Sequence, residues 1–213
     1  MHAYVLLDRS GSMQSLWVEA LSSVNAYAKG LADKSDGRSL DSYITLAVFD
    51  AQNGLQFDVL RKKVPALQWE NVTDKEATPR GMTPLLDALG RALALAETDN
   101  PDKAVIVVMT DGQENASREV TREGVKVALD RVRSKGWEVV FLGANFDNIS
   151  DANAVGVGGA QQMAMASGTI GASMERMAMK SRAYAAGAAP IAFDETDREV
   201  AQEAKVKNPT KKH

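Results

Sequence analysis

The sequence contains no cysteine. This absence excludes a disulfide scaffold, a cysteine-ligated zinc site, an iron–sulfur cluster and a thiol nucleophile. Histidine is nearly absent as well: His2 and His213 lie one near each end of the chain, and neither has a visible chemical role. A serine hydrolase is not indicated, because it needs an internal histidine and a Gly-x-Ser-x-Gly turn and the sequence has neither.

Long apolar runs and an excess of basic residues are also missing. No apolar run approaches the ~20 residues of a membrane-spanning helix, so no membrane partner is expected. The 25 lysines and arginines are outnumbered by 28 aspartates and glutamates, which gives a net charge of −3 and a pI near 5.5. Because a nucleic-acid groove needs a basic surface, nucleic acid is not expected as a partner.

The first residues do not look like a secretory leader. The apolar run at 2–7 is too short, no basic residues lead into it, and no small-residue cleavage site follows it. Together with the lack of cysteine, this favours a cytoplasmic location.

The length and composition suit one globular domain, with 213 residues of which 45% are apolar. We expect a single domain over residues 1–193. Its recognisable motifs fall in 3–143, and a closing segment rich in alanine, glycine and methionine follows in 144–193. Residues 194–213 are highly charged and are predicted to form a tail whose last dozen residues are frayed.

Short apolar runs rich in β-forming residues predict the strands. They lie at residues 3–7, 43–49, 55–60, 104–109 and 137–142, with a weaker candidate at 161–166. Asn53-Gly54 separates the second and third runs and is a strong hairpin signal, so these two strands should be antiparallel. The run at 104–109 is apolar throughout, which is typical of a central parallel strand.

Helical periodicity fills the intervals between these strands. One helix should begin near Gln14 and end near Gly30, and Thr83-Pro84 should open the next as its N-cap and first residue. A third helix should begin after Thr121. Further helices are predicted at 147–154 and 169–186. In the last of these, the buried face should carry Met174, Met177 and Tyr184, with a partner-binding stripe as the alternative.

Strands alternating with helices predict an α/β fold: a doubly wound, mostly parallel sheet with one antiparallel edge hairpin and helices on both faces. Right-handed crossovers then place the first strand beside the one at 104–109. Ligands of such sheets bind outside the carboxyl ends of the strands, where the strand order reverses. Asp8 and Asp111 follow those two strand ends, so topology alone predicts that they converge.

Three polar segments should meet at this point. They are Asp8-Arg9-Ser10-Gly11-Ser12, Gly81-Met82-Thr83-Pro84-Leu85 and Thr110-Asp111-Gly112. They offer carboxylate and hydroxyl oxygens but neither imidazole nor thiol. Such a donor set suits a hard cation, with Mg²⁺ preferred and Mn²⁺ or Ca²⁺ as alternatives, rather than zinc or copper.

The pattern resembles the von Willebrand factor A (vWA) domain and its metal-ion-dependent adhesion site (MIDAS). Asp8, Ser10 and Ser12 match Asp-x-Ser-x-Ser, Thr83 matches the lone threonine, and Asp111 matches the late aspartate. The resemblance implies that the serine and threonine hydroxyls approach the metal, the threonine sometimes through water. It implies that Asp8 and Asp111 form the outer shell of the site, where they act through water or hydrogen bonds, and that a carboxylate of a protein partner completes the site.

Each of these residues also has an ordinary structural explanation. Ser12 and Thr83 could cap helices, and Asp8 and Asp111 could form turns at strand ends. Asp50 could supply a carboxylate at the rim of the site, but hairpin turn chemistry is the preferred interpretation. Arg9 and Glu114 are interpreted as solvated charges.

Three function classes remain. The leading one is a divalent-cation-dependent protein-binding module, since the resemblance extends to proteins that assist chelatases, AAA-type ATPases and other assemblies. A metal-dependent phosphohydrolase is an alternative, but haloacid-dehalogenase phosphatases carry a second aspartate where this chain has Ser10, and the glycine-rich phosphate-binding motifs are absent. We therefore expect no enzyme. The third class, a structural or assembly component, is motivated by the unusual segment 152–190.

Overall fold

The computed structural model describes residues 1–33, 41–143 and 148–207. In these residues, one mixed sheet has the strand order β3-β2-β1-β4-β5-β6. The strands are β1 (His2–Asp8), β2 (Tyr43–Ala51), β3 (Leu55–Pro65), β4 (Ala104–Thr110), β5 (Glu138–Gly143) and β6 (Gln162–Ala164). The helices are α1 (Trp17–Ala32), α2 (Leu85–Asp99), α3 (Arg122–Ser134), α4 (Asn148–Ala154), α5 (Ile170–Ala185), α6 (Glu195–Val200) and α7 (Glu203–Lys207).

The sheet confirms the predicted doubly wound topology. β1 pairs in parallel with both β2 and β4, and β4, β5 and β6 continue in parallel. β3 is antiparallel to β2, and the turn between them has Asn53 at φ 62° and Gly54 at φ 118°, as an Asn-Gly hairpin requires. β3 is longer than predicted, because register irregularities between Ile44 and Ala47 let its pairing continue to Pro65.

Alternate residues of the strands face two separate cores, as the period of two dictates. In β1, Ala3, Val5 and Leu7 pack with α1 and α5 on one face. Tyr4 and Leu6 pack with α2 and α3 on the other. Fully burying a leucine or valine contributes about 1.5–3 kcal/mol, so both layers hold the sheet rigid beneath its carboxyl edge.

Two helices begin differently from the sequence prediction. α1 begins at Trp17, because residues 11–15 form a 3₁₀ turn after β1. α2 begins at Leu85 with Pro84 at the N-cap position, so the prediction that Thr83 caps this helix is wrong. The amides of Leu86 and Asp87 bond instead to Glu114 and Ser117 of another loop. The Thr83 hydroxyl therefore does not cap α2.

The methionine-rich helix α5 belongs to the core. Met174, Met177 and Tyr184 are all buried, which confirms the predicted core face. α5 lies close to α1: a Cβ added at Gly30 would come within 2.6 Å of the Ala178 Cβ. The absence of a side chain at Gly30 thus allows the two helices to touch.

Residues 194–207 are folded, which differs from the charged tail expected there. Asp194 and Asp197 form a reciprocal capping box that starts α6. Glu203 of α7 is buried, accepts the Ala164 amide at 3.1 Å and pairs with Arg198 at 2.9 Å. Charged residues are held here by specific partners, which a count of charges does not reveal. Residues 208–213, and Asp147 at the start of the helix predicted over 147–154, lie outside the described residues.

None of the helices in the described part of the chain combines the length and the apolar character that crossing a bilayer requires.

Candidate metal centre

The candidate site lies at the carboxyl ends of the two central strands. β1 ends at Asp8 and β4 ends at Thr110, and the strands are paired up to Leu7 and Met109. From β1, the strand order continues to β2 in one direction and to β4 in the other. The carboxyl edge between β1 and β4 is therefore the switch point of the sheet. The five residues predicted to form the site, Asp8, Ser10, Ser12, Thr83 and Asp111, all lie at this edge.

Asp8 is the buried carboxylate of the site. Its side chain is fully buried, with Oδ1 accepting the Ser10 amide at 2.7 Å and Oδ2 accepting the Thr110 hydroxyl at 2.6 Å. Burial raises the pKa of Asp8 to about 6, although these hydrogen bonds act in the opposite direction. A nearby cation would stabilise the ionised form of such a buried carboxylate.

The hydroxyls of Ser10 and Ser12 form a short chain that leads to Asp111. The two serine oxygens are 2.9 Å apart, and Ser12 donates to Asp111 Oδ1 at 2.6 Å. Since Ser12 has one hydroxyl hydrogen, the hydrogen between the serines comes from Ser10. Burial also raises the pKa of Asp111.

These directed bonds have an electrostatic consequence. Ser10 directs its hydrogen to Ser12, and Ser12 directs its hydrogen to Asp111, so lone pairs on both serine oxygens stay available to a cation. Thr110 was not among the predicted site residues, although it stands in the Thr-Asp-Gly motif. Its role could have been read from its place beside Asp111.

Thr83 reaches the same point from a third segment. A Cβ added at Gly112 would lie 2.6 Å from Thr83 Oγ1, 3.3 Å from Ser12 Oγ and 3.5 Å from Asp8 Oδ2. Oxygens from two distant stretches, residues 8–12 and Thr83, therefore border the small volume that is free because residue 112 has no side chain, and Ser12 links Asp111 of the third stretch to them.

The donor chemistry fits a hard cation. Two carboxylates and three hydroxyls converge, all of them oxygen donors. No group of three or more histidine, aspartate or glutamate side chains suited to a metal occurs in the part of the chain that the structure describes. A cation held at this site would thus depend on neutral hydroxyls together with Asp8 and Asp111.

Asn115, a residue that the sequence analysis missed, fixes the backbone of Thr83. Its side-chain oxygen accepts the Thr83 amide at 2.9 Å, and its own amide donates to the Thr83 carbonyl at 3.1 Å. The loop after Asp111 and the loop that carries Thr83 are therefore joined by one backbone hydrogen bond and one bond to the Asn115 side chain.

Glu114 extends this connection to α2. One carboxylate oxygen accepts the amides of Ala116 and Ser117, and the other accepts the Leu86 amide and the Ser117 hydroxyl. The interpretation of Glu114 as a solvated charge is therefore wrong. Asp87, also buried, accepts three further amides of the same loop, those of Arg118, Glu119 and Val120.

A buried charge cluster supports the site on its other side. Asp50 is fully buried and accepts Arg9 Nε at 2.7 Å and Arg80 Nε at 3.1 Å. Arg9 is buried too, and its guanidinium also donates to Asp58 at 2.6 Å. Asp50 is thus neither a turn former nor a free rim carboxylate, and Arg9 is not solvated; both interpretations are wrong.

The cluster also holds the chain that leads to Thr83. The Arg80 amide donates to the Arg9 carbonyl at 2.7 Å, and the Gly11 amide donates to the Gly81 carbonyl at 3.1 Å. Gly81 has φ 69°, and a Cβ there would collide with the Ala51 carbonyl and lie 2.9 Å from Asp50 Oδ2. Only glycine suits this position.

No protein-family model matches the sequence, and no curated protein matches it. Several solved structures are similar in fold. The pilus adhesin SpaC from Lactobacillus rhamnosus GG, in an open conformation, is 12% identical over 84% of this chain and 29% of the adhesin, with a TM-score of 0.61. Proximal thread matrix protein 1 from the mussel byssus is 17% identical over 83% of this chain and 46% of that protein, with a TM-score of 0.57.

A manganese-loaded TRAP protein from Plasmodium vivax is 15% identical over 81% of this chain and 70% of that chain, with a TM-score of 0.53. This chain spans less than half of the adhesin and of the byssus protein. At such identities the likeness establishes the fold alone, which is the vWA-like α/β fold that the sequence predicted.

Proposed function

We propose that this chain is a divalent-cation-dependent protein-binding module with a site of the MIDAS type. Asp8, Ser10, Ser12, Thr83 and Asp111 hold the cation, Mg²⁺ by preference, and an aspartate or glutamate of a protein partner completes its coordination. The observation that carries the proposal is the convergence of Asp8, Ser12 and Thr83 oxygens on the free volume beside Gly112, with Asp111 bonded to Ser12.

The chemistry of the donors explains why the partner should be acidic. The hydroxyls are neutral, and both oxygens of Asp8 already accept hydrogen bonds from the protein. A dication held mainly by neutral oxygens keeps much of its positive charge and attracts a further anionic oxygen. A manganese-loaded protein and a pilus adhesin share this fold, which supports a cation-binding and adhesive role but does not bear on the chemistry of the partner.

Binding rather than catalysis is the proposed role, and the cytoplasm the proposed location. Position 10 carries a serine hydroxyl where a phosphohydrolase of the dehalogenase type needs an acid for proton transfer. The histidine that the structure describes, His2, begins β1 and lies at the opposite end of that strand from the site. The lack of cysteine suits a reducing compartment.

The test measures metal binding by calorimetry with Mg²⁺ and Mn²⁺. Wild type should bind one cation. Asp111→Ala should weaken binding at least about tenfold, which corresponds to the loss of one charged interaction of about 1.4 kcal/mol. Asp74→Ala is the matched control, because Asp74 is an exposed acidic residue outside the site, and it should bind like wild type.

Two results would count against the proposal. Wild type that takes up no cation, or an Asp111→Ala variant that binds as tightly as wild type, removes the metal site. Metal-dependent turnover of a generic phosphoester, lost in Asp111→Ala, would support the enzyme alternative instead.

A further inference from the structure

Two of the loops that carry the candidate metal centre are tied to one buried carboxylate, that of Asp50 near the end of β2. Its Oδ1 accepts Arg9 Nε at 2.7 Å, and its Oδ2 accepts Arg80 Nε at 3.1 Å. Arg9 directly precedes Ser10 in the first loop, and Arg80 lies three residues before Thr83 in the second. One side chain therefore joins two segments that are about 70 residues apart in the sequence.

The backbones of the two loops are also in contact. The Arg80 amide donates to the Arg9 carbonyl at 2.7 Å, and the Gly11 amide donates to the Gly81 carbonyl at 3.1 Å. A Cβ at Gly81 would lie 2.9 Å from Asp50 Oδ2, so the second loop passes directly against the carboxylate. We call Arg9, Asp50 and Arg80 the Asp50 cluster. It fixes how far apart the two loops lie.

Burial gives the Asp50 cluster a defined geometry. Arg9 is buried together with Asp50, and its guanidinium also donates to Asp58 at 2.6 Å. Because desolvation offsets much of the attraction within a buried ion pair, such a pair adds little stability compared with apolar packing. Its distinctive property is direction, since charge-assisted hydrogen bonds hold both partners in one arrangement.

The spacing of the hydroxyl oxygens suits a small cation. The Ser10 and Ser12 oxygens are 2.9 Å apart, which is the separation of adjacent ligands around an octahedral cation with bonds of about 2.0–2.1 Å, as for Mg²⁺. In the same arrangement Ca²⁺, with bonds of about 2.3–2.6 Å, would need roughly 3.3–3.7 Å. The Thr83 oxygen lies on the other loop, so its distance from the serine pair depends on the Asp50 cluster.

We infer that Asp50 is a positioning residue that makes the site select Mg²⁺ over Ca²⁺: by holding Arg9 and Arg80, it keeps the serine loop and the Thr83 loop too close for the larger ion. This inference rests on the proposed function. Asp50 acts through the two arginines and is not itself a ligand. Mg²⁺ demands near-ideal octahedral geometry, whereas Ca²⁺ accepts flexible and irregular arrangements. Loosening the loops therefore costs Mg²⁺ affinity and spares Ca²⁺ affinity.

The test compares Mg²⁺ and Ca²⁺ affinities, measured by calorimetry, in wild type and Asp50→Asn. Asparagine keeps the shape and one acceptor oxygen, but its amide nitrogen cannot accept from the second arginine, so one loop is released. Wild type should bind Mg²⁺ more tightly than Ca²⁺, and the ratio of the two affinities should fall at least about fivefold in the variant. A general loss of stability would lower both affinities together and leave the ratio unchanged.

Two further variants separate positioning from folding. Arg80→Ala removes the half-exposed arginine and keeps the buried ion pair of the Asp50 cluster, so it should fold and lower the ratio about threefold. Asp197→Asn is the matched control. Asp197 of α6 is also fully buried and pairs with two basic residues of α5, one of them Lys180 at 2.7 Å. This variant should keep the wild-type ratio even if its stability falls.

The outcomes separate the inference from the proposed function. The inference is overturned if wild type does not prefer Mg²⁺, if Asp50→Asn or Arg80→Ala keeps the wild-type ratio, or if Asp197→Asn lowers the ratio as much as Asp50→Asn does. Each of these results leaves the proposed function standing, because the site still binds a cation. Wild type that binds neither Mg²⁺ nor Ca²⁺ refutes the proposed function, and the inference falls with it.

Discussion

At the scale of single residues, the candidate site depends on the direction of its hydroxyl hydrogens and on the absence of a side chain at Gly112. Ser12 gives its hydrogen to Asp111, which leaves lone pairs on the Ser12 oxygen, and this oxygen and that of Thr83 border the free volume beside Gly112. That the five candidate residues lie at one edge of the sheet was predictable, because strand order brings their segments together. The partners of Arg9 and Asp50 were not, since burial of a charge depends on pairings across the fold that no local pattern encodes.

Gly112→Ala tests the importance of the free volume. The new methyl group would lie 2.6 Å from Thr83 Oγ1, so it should displace this hydroxyl and occupy part of the cation's space. We expect Mg²⁺ affinity to fall at least about tenfold, with overpacking costing about 1–3 kcal/mol of unfolding free energy. Calorimetry and urea unfolding measure the two quantities.

Gly159→Ala is the control for this substitution, since a Cβ there meets nothing within 4 Å. It should leave both quantities unchanged. A Gly112→Ala protein with wild-type metal affinity would show that the volume beside Gly112 is not where the cation lies.

At the scale of secondary structure, strands were easier to predict than helix ends. The apolar runs located β1, β2, β4 and β5 closely, because burial on both sides of a sheet leaves an unbroken apolar pattern. The beginning of α2 was mispredicted. The Leu86 amide is capped by Glu114 and the Asp87 amide by Ser117, both from a loop about 30 residues later, and a local capping pattern at Thr83 cannot reveal such distant partners.

Glu114→Ala tests this remote cap. The substitution leaves the Leu86, Ala116 and Ser117 amides without their acceptor, so unfolding free energy should fall by about 2 kcal/mol. Hydrogen exchange of the Thr83 and Leu86 amides should also accelerate, because the loop that holds Thr83 through Asn115 loosens.

Glu119→Ala is the matched control in the same loop. Glu119 is exposed and its nearest cation, Arg91, is 3.8 Å away, so its loss should change the unfolding free energy by less than about 0.5 kcal/mol. Equal stabilities of the Glu114 and Glu119 variants would mean that the loop, and not the cap, holds α2 in place.

At the scale of the whole molecule, two buried titratable groups at opposite ends of β1 respond to pH in opposite directions. Burial lowers the pKa of His2 to about 4 and raises that of Asp8 to about 6. Acidification below about 6.5 therefore destabilises the fold through His2, which must take up a proton against its surroundings. In the metal-free protein, acidification stabilises the fold through Asp8, because this carboxyl group binds a proton more readily in the folded protein than in the unfolded chain.

His2 had no visible role in the sequence, because its partners come from strands and loops far along the chain. It is buried, with Nε2 2.8 Å from the Thr45 hydroxyl and Nδ1 2.9 Å from the Tyr4 hydroxyl, which itself donates to Asp99 at 3.0 Å. The neutral ring satisfies both contacts with one donor and one acceptor. Burial lowers the pKa of His2 and outweighs the nearby Asp99 carboxylate, which raises it, so the ring is neutral.

His2→Gln isolates the histidine contribution to stability. The stability supplied by the neutral ring is complete above the unfolded pKa of about 6.5 and is lost as the pH falls toward 4, by up to about 3 kcal/mol for a shift of this size. Glutamine keeps a donor and an acceptor but does not titrate. Urea unfolding at pH 7 and pH 4.5 should therefore show wild type losing more stability than the variant, whereas Asp8 contributes equally to both proteins and cancels in the comparison. An NMR titration that placed His2 near its ordinary pKa, or parallel losses in the two proteins, would contradict a buried neutral histidine at the amino end of β1.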